Sequence, residues 1–77
     1  MRVLLDNEMV IEAVDIFGHK DDNGLYYVSF RYEGSDDYIE YYYTGISDEE
    51  AKKRSERIVR EAFEKGYVDC SDEPWDL

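Results

Sequence analysis

Apolar and polar residues alternate with two different periods along this chain, and the change of period falls at Ser47. From Leu25 to Tyr32 the period is two, with Tyr26, Val28, Phe30 and Tyr32 on one side and Leu25, Tyr27, Ser29 and Arg31 on the other. Tyr38 to Tyr43 repeats it, setting Ile39, Tyr41 and Tyr43 against Tyr38, Glu40 and Tyr42. Met9 to Phe17 is apolar and β-branched, but the three-residue spacing of Glu12 and Asp15 breaks strict alternation and predicts a bulge near Ala13. Gly18 to Gly24 reads as a turn, with Asn23-Gly24 suited to positive φ, and Glu33 to Asp37 reads as the next. Arg2 to Leu5 adds a short strand hairpinned through Asp6 and Asn7. Connections this short favour neighbours in sequence as neighbours in space.

After Ser47 the period becomes helical. Ser47-Asp48-Glu49-Glu50 is a capping box, in which the Ser47 hydroxyl accepts from the Glu50 amide. Ala51, Ser55, Ile58, Val59, Ala62 and Phe63 recur at three- and four-residue steps and define one stripe, which predicts that Ile58 and Phe63 point into the sheet. Gly66 stands where a left-handed residue ends a helix. Glu49–Lys53, Glu50–Arg54, Glu56–Arg60 and Glu61–Lys65 are acid-before-base pairs at i,i+4, so the helix neutralises itself. Small residues on its stripe suit a close approach to a sheet that supplies bulky tyrosines. The expectation is an α+β fold: a three- or four-stranded antiparallel meander with the Asp48–Lys65 helix packed on one face, spanning 1–68, followed by an acidic C-terminal tail, 69–77.

Charge changes the picture from scaffold to partner. The net charge is −11 over 77 residues, yet 46–65 carries six acids and six bases. Residues 1–45 carry ten acids and three bases, and 66–77 carries four acids and no base. A surplus this large exceeds what dispersal in water requires and repels itself. Twelve aromatics, seven of the eight tyrosines lying between Tyr26 and Tyr43, supply a core that disordered chains lack. A tyrosine serves equally as core filler and as an exposed contact, and a sheet has a face for each. Cys70 is the only cysteine, which excludes an intrachain disulfide and fits a cytoplasmic setting. No apolar run approaches the ~18–20 residues of a membrane span, and Asp6 stops the Met1–Leu5 run short of a signal segment.

No reactive constellation assembles. His19 falls in the expected hairpin turn beside Lys20 and Asp21, and Asp69 and Asp72 near Cys70 would raise its thiol pKa and blunt its nucleophilicity. Asp21-Asp22 and Asp36-Asp37 occupy turn positions that favour Asp. Aligning Gly24 with the glycine of a calcium loop puts His19 at the first ligand position and Phe30 where a bidentate Glu belongs, so the match fails. Phosphate loops, zinc helices and nucleophile elbows are absent from the sequence. The expectation is a protein without catalytic residues, metal or cofactor. Direct nucleic-acid binding is disfavoured too, because the bases are interleaved with acids on the helix.

What remains is an acidic surface that suits a basic partner. The candidate contacts are Asp21, Asp22, Glu33, Asp36, Asp37, Glu40, Tyr42, Asp72, Glu73 and Trp75. Trp75 has two roles open to it, folding back onto the core or anchoring a partner. In size, acidity, tyrosine content and strands-then-helix order the chain resembles the small acidic DNA-mimic inhibitors of phages and mobile elements, of the anti-CRISPR and anti-restriction type. The resemblance implies a non-enzymatic inhibitor that occupies the nucleic-acid-binding surface of a partner protein. The alternative is an interaction module or adaptor docking through its tyrosine-rich sheet or the Trp75 tail. Homo-oligomerisation through a free face or edge also stays open.

Overall fold

The computed structural model describes residues 1–5 and 8–76. It contains β1 (Arg2–Leu4), β2 (Val10–Lys20), β3 (Tyr26–Tyr32), β4 (Tyr38–Tyr43), α1 (Asp48–Lys65), β5 (Tyr67–Asp69) and β6 (Trp75–Asp76). The fold is α+β, but the sheet is larger than expected and mixed: six strands in the order β5-β1-β2-β3-β4-β6. Strands β1 to β4 form the antiparallel meander, while β5 lies parallel to β1 and β6 antiparallel to β4. The turn expected at Asp6 and Asn7 lies outside the described residues.

The register explains the two faces. A shift between Ala13 and Asp15 marks the bulge, so Val14 and Asp15 both turn away from the helix. Beyond it Ile16 pairs with Phe30 and Gly18 with Val28, on the face that α1 covers. Gly18, His19 and Lys20 are therefore strand and not turn, and the reversal is confined to 21–24. The reason is steric. A Cβ on Gly18 would meet the Ser55 Cβ at 3.2 Å and the Ser55 carbonyl oxygen at 3.3 Å, so the glycine admits the helix rather than bending the chain.

The helix begins and ends as its sequence requires. The Ser47 hydroxyl accepts from the Glu50 amide at 3.2 Å, and Gly66, at φ 72°, donates its N–H to the Ala62 carbonyl. Glu49–Lys53 and Glu50–Arg54 form, while Glu61 turns to Arg57 rather than Lys65. Ala51, Ser55, Ile58 and Ala62 are buried against Val3, Ile11, Ile16, Val28, Phe30 and Val68. Phe63 is not. It is 62% exposed, because at ~100° per residue it sits roughly 110° around the helix from the centre of that stripe.

The stretch expected as an acidic C-terminal tail, with Trp75 either on the core or on a partner, runs back to the sheet and ends in β6. Strands β5 and β6 occupy the two outermost places in the sheet, and six Cα steps join Asp69 to Trp75. Six steps reach at most ~22 Å, whereas the outer strands of a flat six-stranded sheet stand ~24 Å apart. The sheet must therefore curve, and it curves toward the helix side, where Cys70 and Glu73 are buried. On the assigned helix face, Ile58→Ala should cost about 2–5 kcal/mol. Phe63→Ala should stay within ~0.5 kcal/mol. Urea titrations compare the two, and equal losses would overturn the assignment.

Candidate functional site

The face of the sheet turned away from α1 carries the site. Three cross-strand rows build it from β2, β3 and β4. Asp15 pairs with Arg31 and Arg31 with Tyr38; Phe17 pairs with Ser29 and Ser29 with Glu40; His19 pairs with Tyr27 and Tyr27 with Tyr42. The rings form a continuous chain, Tyr38–Phe17–His19–Tyr27–Tyr42, with successive centroids 5.8, 5.3, 5.3 and 4.9 Å apart. Two of these contacts, His19–Tyr27 and Tyr27–Tyr42, are cross-strand pairs, which stabilise a sheet whichever face they occupy. Here they do so on the side the helix leaves bare.

Ser29 is the smallest side chain in the middle row, and its larger neighbours leave a hollow above it. Phe17, His19, Tyr27, Tyr38 and Glu40 line the walls and Ser29 the floor. At one border Arg31 donates to the Asp15 carboxylate at 2.8 and 3.2 Å, and this hydrogen bond raises the guanidinium pKa. At the other, partial burial and then Glu40 and Asp21 push the Tyr42 hydroxyl pKa up. The Tyr42 corner is thus acidic, whereas the Arg31 corner is internally neutralised.

The sequence-derived candidates separate into four places. Glu40 and Tyr42 stand on the bare face, with Asp21 next to Tyr42 at the β2–β3 turn. The Asp21 carboxylate accepts from the backbone N–H of Asn23 and Leu25 at 2.9 and 2.8 Å, and Asp22 beside it is exposed. Glu33, Asp36 and Asp37 are exposed at the opposite end of the sheet, in the β3–β4 turn. Asp72 is exposed in the crossing between β5 and β6.

Glu73 and Trp75 are withdrawn from solvent, so Glu73 is not a surface contact, and of the two roles open to Trp75 the structure has it folded back onto the core. Trp75 is 8% exposed, stacked on Tyr41 at 4.7 Å with Phe30 and Tyr43 edge-on, so it closes the core. The Glu73 side chain is 2% exposed; it accepts from the Tyr43 hydroxyl at 2.9 Å and from Arg54 at 2.8 Å. The residues that the sequence did not single out are Phe17, His19, Tyr27, Ser29 and Tyr38. Tyr27, Ser29 and Tyr38 were on the outward parity of their strands. Phe17 and His19 were hidden by the bulge and by the turn-like composition after Phe17.

Among the described residues no His, Cys, Asp and Glu cluster could hold a metal ion. Nor, among those residues, is any helix long and apolar enough to cross a membrane. The chain matches no protein-family model, no curated protein and no solved structure.

Removing the Glu73 carboxylate leaves the buried Tyr43 hydroxyl without its acceptor and Arg54 with Glu50 alone. Glu73→Ala should therefore cost about 1–3 kcal/mol and lower the melting temperature by about 5 °C or more. Asp72→Asn should be silent in the same melt. Burial pushes the Cys70 thiol from its ordinary 9.0 to about 12, with Glu73 and Asp69 adding to the shift. Between those values the unfolded chain binds fewer protons than the folded one, so stability should fall as pH rises from about 9 toward about 12. Tyr43, raised by burial and by Glu73, acts in the same direction above its ordinary 10.0. Urea titrations across this range should show a smaller decline for Cys70→Ala, and an equal decline would refute the assignment.

Proposed function

We propose that this chain is a non-catalytic binding protein that occupies a basic, nucleic-acid-binding surface of a partner protein by charge mimicry. One observation carries the reading: the bare aromatic face lies between two acidic ends, while α1 carries as many bases as acids. Asp21 and Asp22 mark one end, Glu33, Asp36 and Asp37 the other, and β3 separates them by its length, which is roughly 20 Å at ~3.3 Å per residue. Fixed carboxylates at that separation stand in for phosphates, and the rings add contacts that a phosphate backbone lacks. The whole-chain surplus of −11 gives such a face a long-range preference for a basic surface.

A competition titration tests it, using the partner recovered by affinity capture and a nucleic acid which that partner binds. The two ligands should exclude each other. Reversing Asp36, Asp37 and Glu40 to lysine should weaken binding by about a hundredfold or more and leave the melting temperature nearly unchanged, since all three are exposed. Added salt should weaken the complex with a shallower slope than it weakens the nucleic acid, which releases a denser counterion sheath. Simultaneous saturation by both ligands would overturn mimicry. That outcome would favour the adaptor reading, which the exposed rings of Phe17 and Tyr38 support independently.

A further inference from the structure

We propose that the hollow over Ser29 receives the guanidinium of an arginine side chain carried by the basic partner. The inference rests on the reading above and names what the bare face recognises. The hollow is built rather than incidental. Ser29 is 4% exposed although it belongs to the bare face, because Phe17 and Glu40 stand beside it and Tyr27 precedes it along β3. Ser29 lines the hollow. A polar floor, ring walls and one carboxylate define the occupant's chemistry.

The occupant must offer an apolar face to the rings, donors at its edge to Glu40 and the Ser29 hydroxyl, and a positive charge. A planar guanidinium meets all three conditions, stacking on aromatic faces while its edge pairs with a carboxylate. An ammonium is a compact, strongly hydrated charge with no flat face to stack. An anion is repelled by Glu40, and a neutral ring leaves that carboxylate desolvated without a partner. The protein's own Arg31 stands next to the hollow but is committed elsewhere. Its two bonds to Asp15 and a third to the Ser35 carbonyl, at 3.3 Å, hold it at the border. Asp15 also cancels the charge that would otherwise oppose a second cation there.

The test is a titration of acetyl-Gly-Arg-Gly-amide into the full chain, followed by the ring signals of Phe17, His19, Tyr27 and Tyr38 in NMR spectra. Saturable shifts are expected at these rings, with a ring-current displacement of the arginine δ-methylene. Glu40→Gln and Tyr27→Leu should each weaken binding at least about fivefold, Tyr27→Phe should preserve it, and the matching lysine peptide should bind at least about fivefold more weakly. Absence of saturable shifts, or equal binding by the lysine peptide or by Glu40→Gln, would overturn the assignment. Failure here is distinguishable from failure of mimicry. Competition at the partner without peptide binding removes the arginine site alone, and peptide binding without competition removes mimicry alone.

Discussion

Taking the Glu73 carboxylate out of water is a cost the rest of the structure is arranged to offset. A buried charge without partners is worth several kcal/mol of instability, so this residue can occupy its place only if its partners are there too. Those partners come from separate elements: the Tyr43 hydroxyl at the end of β4, and Arg54 on the helix, with Arg57 behind it at 3.7 Å. Glu73 itself sits on the crossing that joins the two edges of the sheet. One carboxylate therefore couples the position of the helix, the end of a strand and the path of the closing segment. With the crossing held, Trp75 is delivered onto Tyr41 and β6 onto β4.

What could be read from the sequence, and what could not, divides along the range of the interactions involved. The helix was legible from end to end because its determinants are local: the Ser47 cap, the Gly66 stop and the spacing of Ala51, Ser55, Ile58 and Ala62. Strands β3 and β4 were legible because one residue of alternation fixes a whole face. Strands β5 and β6 have three and two residues, too few to carry a period, and they exist because neighbours in space pair with them. Gly18 misled for a related reason. Glycine marks turns in most contexts, and only the presence of Ser55 above it makes it a strand residue. Phe63 looked like core on spacing alone, since a stripe of small residues does not reveal where it ends.

The candidate site was half visible on the same grounds. Glu40 and Tyr42 lie on a strand of clean alternation, so their outward direction could be stated from the sequence. Phe17 and His19 follow the bulge, which reverses the parity of β2, and their direction depends on where that extra residue is inserted. The bulge has a second effect. By turning Asp15 outward together with Val14, it supplies the acceptor that keeps Arg31 away from the hollow over Ser29. An irregularity in one strand thus settles what the middle of the sheet can accommodate.

The charge surplus lies outside α1, whose residues 48–65 carry as many bases as acids, so this small body is unevenly charged. Such a body is turned by an external field as well as drawn along it. Under the mimicry proposed above, a strongly basic surface would turn the acidic parts forward before any side chain is in contact, so that more collisions begin in a productive orientation. Evenly spread, the same eleven excess charges would attract the molecule without aligning it. The i,i+4 pairs along α1 contribute little to stability individually. Their larger effect is to keep α1 itself neutral, which leaves the whole surplus to the rest of the chain.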